Sequence, residues 1–248
     1  MWRGNLEPSS SYGIGTFSAS GNYNAYGNIM SLLYYDNYYS SQLDSTKHEN
    51  VFYRLFESDI HLLSAPLLPS TTLANCCYKS MFMECKSLIA APKLPATILA
   101  GWCYAYMFSL CYSLTIAPEL PVTTLAMGCY DSMFYYCKSL ITAPSLPATT
   151  LAEYCYYQMF YCCSNLVTAP ELPATSLVSS CYNSMFYNCT QLNYIKALFE
   201  TTPSRSYTDR WVSGVAATGT FVKNSAATWT TTGVDGVPAG WTVVTDNQ

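Results

Sequence analysis

The sequence predicts an α/β solenoid of about seven 26-residue coils, a strand face backed by a helix face, with β-rich end caps. Three observations carry that expectation. Ala-Pro recurs at Ala65-Pro66, Ala91-Pro92, Ala117-Pro118, Ala143-Pro144 and Ala169-Pro170, and the unit A-P-x-L-P-x-T-x-L-A-x-x-C-Y-x-x-M-F-x-x-C-x-S-L-x-x holds register without insertion or deletion. A unit this short buries its apolar face only against a neighbour, so the copies stack. Proline at the second and fifth positions forbids helix there and favours an extended limb, S-L-x-x-A-P-x-L-P. After it, Leu73, Cys77, Met81 and Cys85 follow at i, i+4, i+8 and i+12, a spacing that predicts a helix. Thr71, Thr97, Thr123, Thr149 and Thr175 stand where its N-cap is wanted.

Taken in order, residues 1–38 read as a β-rich cap in which 27–34 is the first buried strand. Residues 39–64 read as a degenerate first coil, with Val51 and Phe52 for Cys-Tyr, Leu55 and Phe56 for Met-Phe, and Leu62 for Leu. Residues 65–194 are the five regular units. Residues 195–223 form a degenerate last coil, in which Trp211, Val212 and Val215 take core slots, 206–214 is an altered helix and 219–223 a strand. Residues 224–248 close the array as a capping β segment in which Trp229 and Trp241 cover the open end of the core.

Charged residues are 10% of the chain, against about 25% in a typical soluble protein, while tyrosine contributes 23 residues. The surface is therefore expected to be neutral and rich in hydroxyls. A net charge of −4 gives no basic footprint for nucleic acid. No stretch is long and apolar enough for a membrane span. No secretory signal is visible at the N-terminus, so either the protein is not exported by that route or the chain begins inside a longer one.

Ten of the 12 cysteines form two columns, Cys77, Cys103, Cys129, Cys155, Cys181 and Cys85, Cys111, Cys137, Cys163, Cys189. Eight residues apart on a helix, two such thiols stand about 12 Å apart by rise, beyond the roughly 7 Å a disulfide tolerates. The spacing also lacks the close pairs that zinc wants. Buried free thiols acting as small apolar groups are expected. The column Met81, Met107, Met133, Met159 and Met185 shares their phase and reads as core. His48 and His61, with Asp59 nearby, can be drawn as part of a triad, but nothing in the sequence fixes the geometry that such catalysis requires. No catalytic residue, metal ligand or cofactor is assigned, and the chain is read as a non-enzyme.

The aromatic residues divide into two sets. Tyr78, Tyr104, Tyr130, Tyr156 and Tyr182 recur in every copy and read as framework. Trp102, Tyr106, Tyr135, Tyr136, Tyr154, Tyr157, Tyr161 and Tyr187 fall in slots that change between copies, facing away from the core or onto its flank. Aromatic enrichment at such positions suits a contact surface for a protein or glycan ligand, and these eight are the candidate binding residues. The alternative site is the strand face, where Lys93, Glu119, Ser145 and Glu171 fill one changing slot.

F-x-x-C-x-S-L followed by x-x-A-P-x-L-P, as at Met81 to Leu88, resembles the BspA-type leucine-rich repeat proteins of gut Bacteroides and related anaerobes. The resemblance extends to flanking stretches around Asn28-Ile29-Met30 and Gly236-Val237-Pro238. These units are longer than the family's by about one helical turn, the inserted C-Y-x-x. The resemblance implies a leucine-rich-repeat solenoid at the cell surface or secreted, working in adhesion or partner binding, and supplies no binding residue. A virion or other assembly role, with the array as spacer or recognition tip, is the alternative.

Overall fold

Proline decides how much strand the repeats hold. Neither Pro66, Pro92, Pro118, Pro144 and Pro170 nor Pro69, Pro95, Pro121, Pro147 and Pro173 has an N–H to donate, so a ladder cannot propagate through the limb. In the computed structural model, which describes residues 14–34 and 42–246, the regular units accordingly pair through single parallel bridges. Examples are Ala90 with Ile116, Thr142 with Thr168, and Thr72 with Ile98. Where Ile195-Lys196 replaces Ala-Pro, a full strand appears, β3 (Tyr194–Ala197).

The chain is mostly non-helical, with a few short strands in two small parallel sheets. β1 (Tyr23–Asn24) pairs with β2 (Leu62–Ser64). β3 pairs with β4 (Thr220–Asn224) and β4 with β5 (Thr242–Asp246), Ile195 opposite Phe221 and Phe221 opposite Val243. The expected strand at 219–223 is thus found as β4.

The helix expected after each extended limb does not form, and the threonines placed as its N-caps cap nothing. Among the described residues the one α-helix is the single turn α1 (Arg205–Thr208), which also replaces the longer helix expected over 206–214. In each unit the limb is instead a run of overlapping turns. Alternate amides bond three residues back, as Cys77 N–H to the Ala74 carbonyl and Met81 N–H to that of Tyr78. The amides between them reach the next unit: Tyr78 to Cys103 (3.0 Å), Ser80 to Ala105 (2.8 Å), Phe82 to Met107 (3.0 Å).

Every fourth residue takes a left-handed backbone, as at Cys76, Ser80 and Glu84 or Trp102, Tyr106 and Leu110, with φ between 50° and 62°. Each non-glycine residue held there costs about 1–2 kcal/mol. The cost is offset because that residue's N–H is one of those given to the neighbouring unit, and because the apolar pairs between these positions all point inward. A strict period of four is the reason the helix fails. A helical face drifts by about 40° per four residues, or roughly 120° over twelve, whereas these pairs recur without slipping to i+3.

Residues 27–34 are not a strand either. The Asn28 side chain accepts from Met30 N–H at 2.8 Å and turns the chain into a 3₁₀ helix, Ile29–Leu32, which buries Ile29, Met30 and Leu32. Residues 1–13 and 35–38 of the expected N-terminal cap, and 39–41 of the expected first coil, lie outside the described residues.

The core is a set of columns. Phe52, Tyr78, Tyr104, Tyr130, Tyr156 and Tyr182 stack ring on ring at 5.5–6.0 Å. Phe56, Phe82, Phe108, Phe134, Phe160 and Phe186 do so at 5.4–5.9 Å. Each such pair adds about 0.5–1.5 kcal/mol beyond its burial. At the C-terminal end Trp211, Trp229 and Trp241 are buried, and their indole N–H groups donate to the carbonyls of Gly236, Phe199 and Ala216.

Candidate binding surface

The turn limb points residues outward in pairs, and the changing aromatic residues occupy these outward slots. Trp102, Tyr106, Tyr135, Tyr136, Tyr157, Tyr161 and Tyr187 are half-buried, and Tyr154 is 39% exposed. Unit spacing brings three of them into register: Tyr135, Tyr161 and Tyr187 stack at 4.8 and 4.6 Å. Tyr136 leans on Tyr135 (4.8 Å) and Tyr161 (5.9 Å), and Tyr154 meets Tyr157 edge-on at 5.9 Å. Both faces of Tyr161 are covered by its neighbours, so it presents an edge and a hydroxyl. Trp102 stands apart, its indole lying against Gly128 in the next unit.

Cations border this ridge that sequence reasoning did not single out. Lys86, Tyr112 and Lys138 are one column, 26 residues apart. Both lysines lie over the Tyr112 ring, at 5.9 and 5.7 Å, and Lys138 also lies 5.5 Å from Tyr136. Arg210 caps the tyrosine stack 6.0 Å from Tyr187. The register alone could have found the lysine–tyrosine–lysine column, since all three share a slot.

Asp131 is the other residue missed. Its carboxylate accepts from Ser132 Oγ at 2.7 Å. Burial pushes it up to about 6, against smaller opposing effects of the Ser132 hydroxyl and the Lys79 charge.

The alternative residues Lys93, Glu119, Ser145 and Glu171 lie exposed in one row of the extended limb, and Glu171 pairs with Lys196 at 3.4 Å. Beside them stand exposed Leu67, Ile89, Ile116 and Ile141.

The groups that could have been drawn as a triad are employed otherwise. Asp59 accepts from Tyr23 Oη (2.6 Å) and His61 N–H (3.0 Å), tying β1 to the first units. His48 accepts at Nδ1 from Asp44 N–H (2.7 Å), and His61 contacts Asn22.

All 12 cysteines are free, and all but Cys76 are buried. Cys85, Cys111, Cys137, Cys163 and Cys189 donate S–H to the carbonyls of Phe56, Phe82, Phe108, Phe134 and Phe160 in the preceding unit, at 2.9–3.1 Å. Burial pushes the Cys103 thiol up to about 12, which leaves it protonated and unreactive.

Among the described residues no group of three His, Cys, Asp or Glu side chains could hold a metal ion, and no helix is long and apolar enough to cross a membrane. A shallow hollow of about 180 Å³ lined by Val212, Val215, Val234 and Pro238 is smaller than the roughly 300–1,000 Å³ of ligand pockets.

No family model matches the chain, and neither a curated protein nor a solved structure matches it.

Proposed function

We propose that the chain is a non-enzymatic repeat module, displayed at a cell surface or secreted, that binds a protein or glycan through its turn-limb face. On this reading residues 65–194 are five coils of a leucine-rich-repeat-type solenoid of the BspA kind. Residues 39–64 and 195–223 are its degenerate end coils, and 1–38 and 224–248 its caps. The turn ladder takes the place of a helix face.

The observation that carries the reading is the contrast between invariant buried columns and the changing outward slots beside them. The Tyr78 to Tyr182 column repeats in every regular unit, while the slots that hold Tyr135, Tyr154 and Tyr157 hold Met83, Trp102 and Lys79 elsewhere. A fixed frame with a varied, tyrosine-rich surface suits recognition, because tyrosine gives large contact area at small entropic cost.

The test is a screen of the whole chain against protein and glycan arrays, followed by the Tyr135→Ser/Tyr154→Ser/Tyr157→Ser variant. A ligand bound at least about tenfold more weakly by the variant, with melting little changed, supports the reading. Loss instead on Glu119→Ala/Glu171→Ala moves the site to the extended limb. Absence of saturable binding on both arrays removes the binding-module reading.

A further inference from the structure

Asp131 stands on an outward slot between Ala105 in the preceding unit and Tyr157 in the following one, with Tyr135 four residues on. Backbone bonds pin the neighbours. Tyr106 N–H donates to the Asp131 carbonyl at 2.8 Å, and Ser132 N–H to the Tyr157 carbonyl at 2.7 Å. The charge of Asp131 is felt by the phenols of both Tyr106 and Tyr157. Among the described residues no basic side chain forms an ion pair with it. The Lys79 charge reaches it only from beyond ion-pair distance, two units back.

A carboxylate in this position has lost part of its hydration and gained one hydroxyl donor in return. What would restore the balance is a cation, which a carboxylate binds through charge-assisted hydrogen bonds.

We propose that Asp131, with Tyr106 and Tyr157 beside it, is the seat for a lysine or arginine side chain of a protein partner. The inference rests on the binding-module reading and narrows its partner to a protein. A neutral sugar would offer hydroxyl donors but no charge to set against the carboxylate. The net charge of −4 favours approach of a basic surface.

The experiment is calorimetric titration of the whole chain with acetyl-Gly-Ser-Lys-Ser-Gly-amide, its arginine and norleucine counterparts, and lactose. The lysine or arginine peptide is expected to bind with Kd on the order of 1 mM, and the norleucine peptide at least about tenfold more weakly. Asp131→Asn, its fold checked by melting, removes that difference. Lowering pH from about 7.5 to about 5 weakens the charged peptides as Asp131 takes up its proton. Of the other groups beside it, the phenols of Tyr106 and Tyr157 have pKa values raised by burial and stay neutral in that window, and Ser132 does not titrate.

Equal binding of the lysine and norleucine peptides, no peptide binding, or unchanged binding by Asp131→Asn each overturns the proposal. Loss on Glu171→Gln in place of Asp131→Asn does so too, by placing the cation on the extended limb. Preference for lactose over every peptide overturns the cationic partner while leaving a binding module in place.

Discussion

The indole of Trp102 occupies the space beside Gly128, one unit along the same column, that any side chain on Gly128 would need. Gly128 has a left-handed backbone, φ 58°, so alanine there meets both strain and a collision. Gly128→Ala is expected to cost about 1–3 kcal/mol and to shift the fluorescence of Trp102. In a Trp102→Ser background the same change should cost only its backbone share, about 1 kcal/mol. A double-mutant cycle by denaturant melting measures the difference, and strict additivity would show that the two residues do not share that space.

Tyr182 carries a buried hydroxyl without a hydrogen-bond partner among the described residues. Deleting it removes a desolvated polar group and keeps the stacked ring. Tyr182→Phe is therefore expected to stabilise the protein by about 1 kcal/mol, read as a higher denaturant midpoint at unchanged slope. A clear loss of stability would mean that the hydroxyl is satisfied.

The Asp131 carboxyl, raised by burial from 3.8 to about 6, links folding to protons. A folded-state pKa above the unfolded one means that its stabilising contribution is full below pH 3.8 and is lost as pH rises through about 6. Above that, the buried charge opposes folding by up to about 2–3 kcal/mol. Asp131→Asn should melt higher than the native chain near pH 8, with the gap closing towards pH 4. A gap that is constant with pH would mean that Asp131 titrates normally.

Thiol chemistry follows from the S–H donors to the phenylalanine carbonyls. Titration of the native protein with a thiol reagent should find few reactive groups, the half-buried Cys76 first among them. After unfolding without reductant all 12 should react. If reductant is needed to reveal them, disulfides join the units and the ladder of free thiols is wrong.

Much of this arrangement is legible without coordinates. The 26-residue register fixes which residues meet from unit to unit, so the Cys, Tyr, Met and Phe columns can be named as core from the sequence. The structure buries them all. The same arithmetic places Tyr135, Tyr161 and Tyr187 in one slot, and they stack. The strand face expected along the proline-containing limbs is reduced to single bridges, and a full strand runs where Ile195-Lys196 replaces Ala-Pro.

What only the tertiary structure decided is the backbone of the second limb. Apolar residues at i, i+4 and i+8 satisfy a helix and a four-residue turn ladder alike over a short stretch. The two differ in where the amides go. A helix keeps them within its own segment, whereas here alternate N–H groups find carbonyls only in the adjoining unit, as Phe82 finds Met107. Local propensity carries no term for that neighbour. The setting of Asp131 was hidden for the same reason: it is half-buried in a segment bonded through the backbone to Tyr106 in the preceding unit and Tyr157 in the following one, and in the sequence it is one acidic residue on a variable slot.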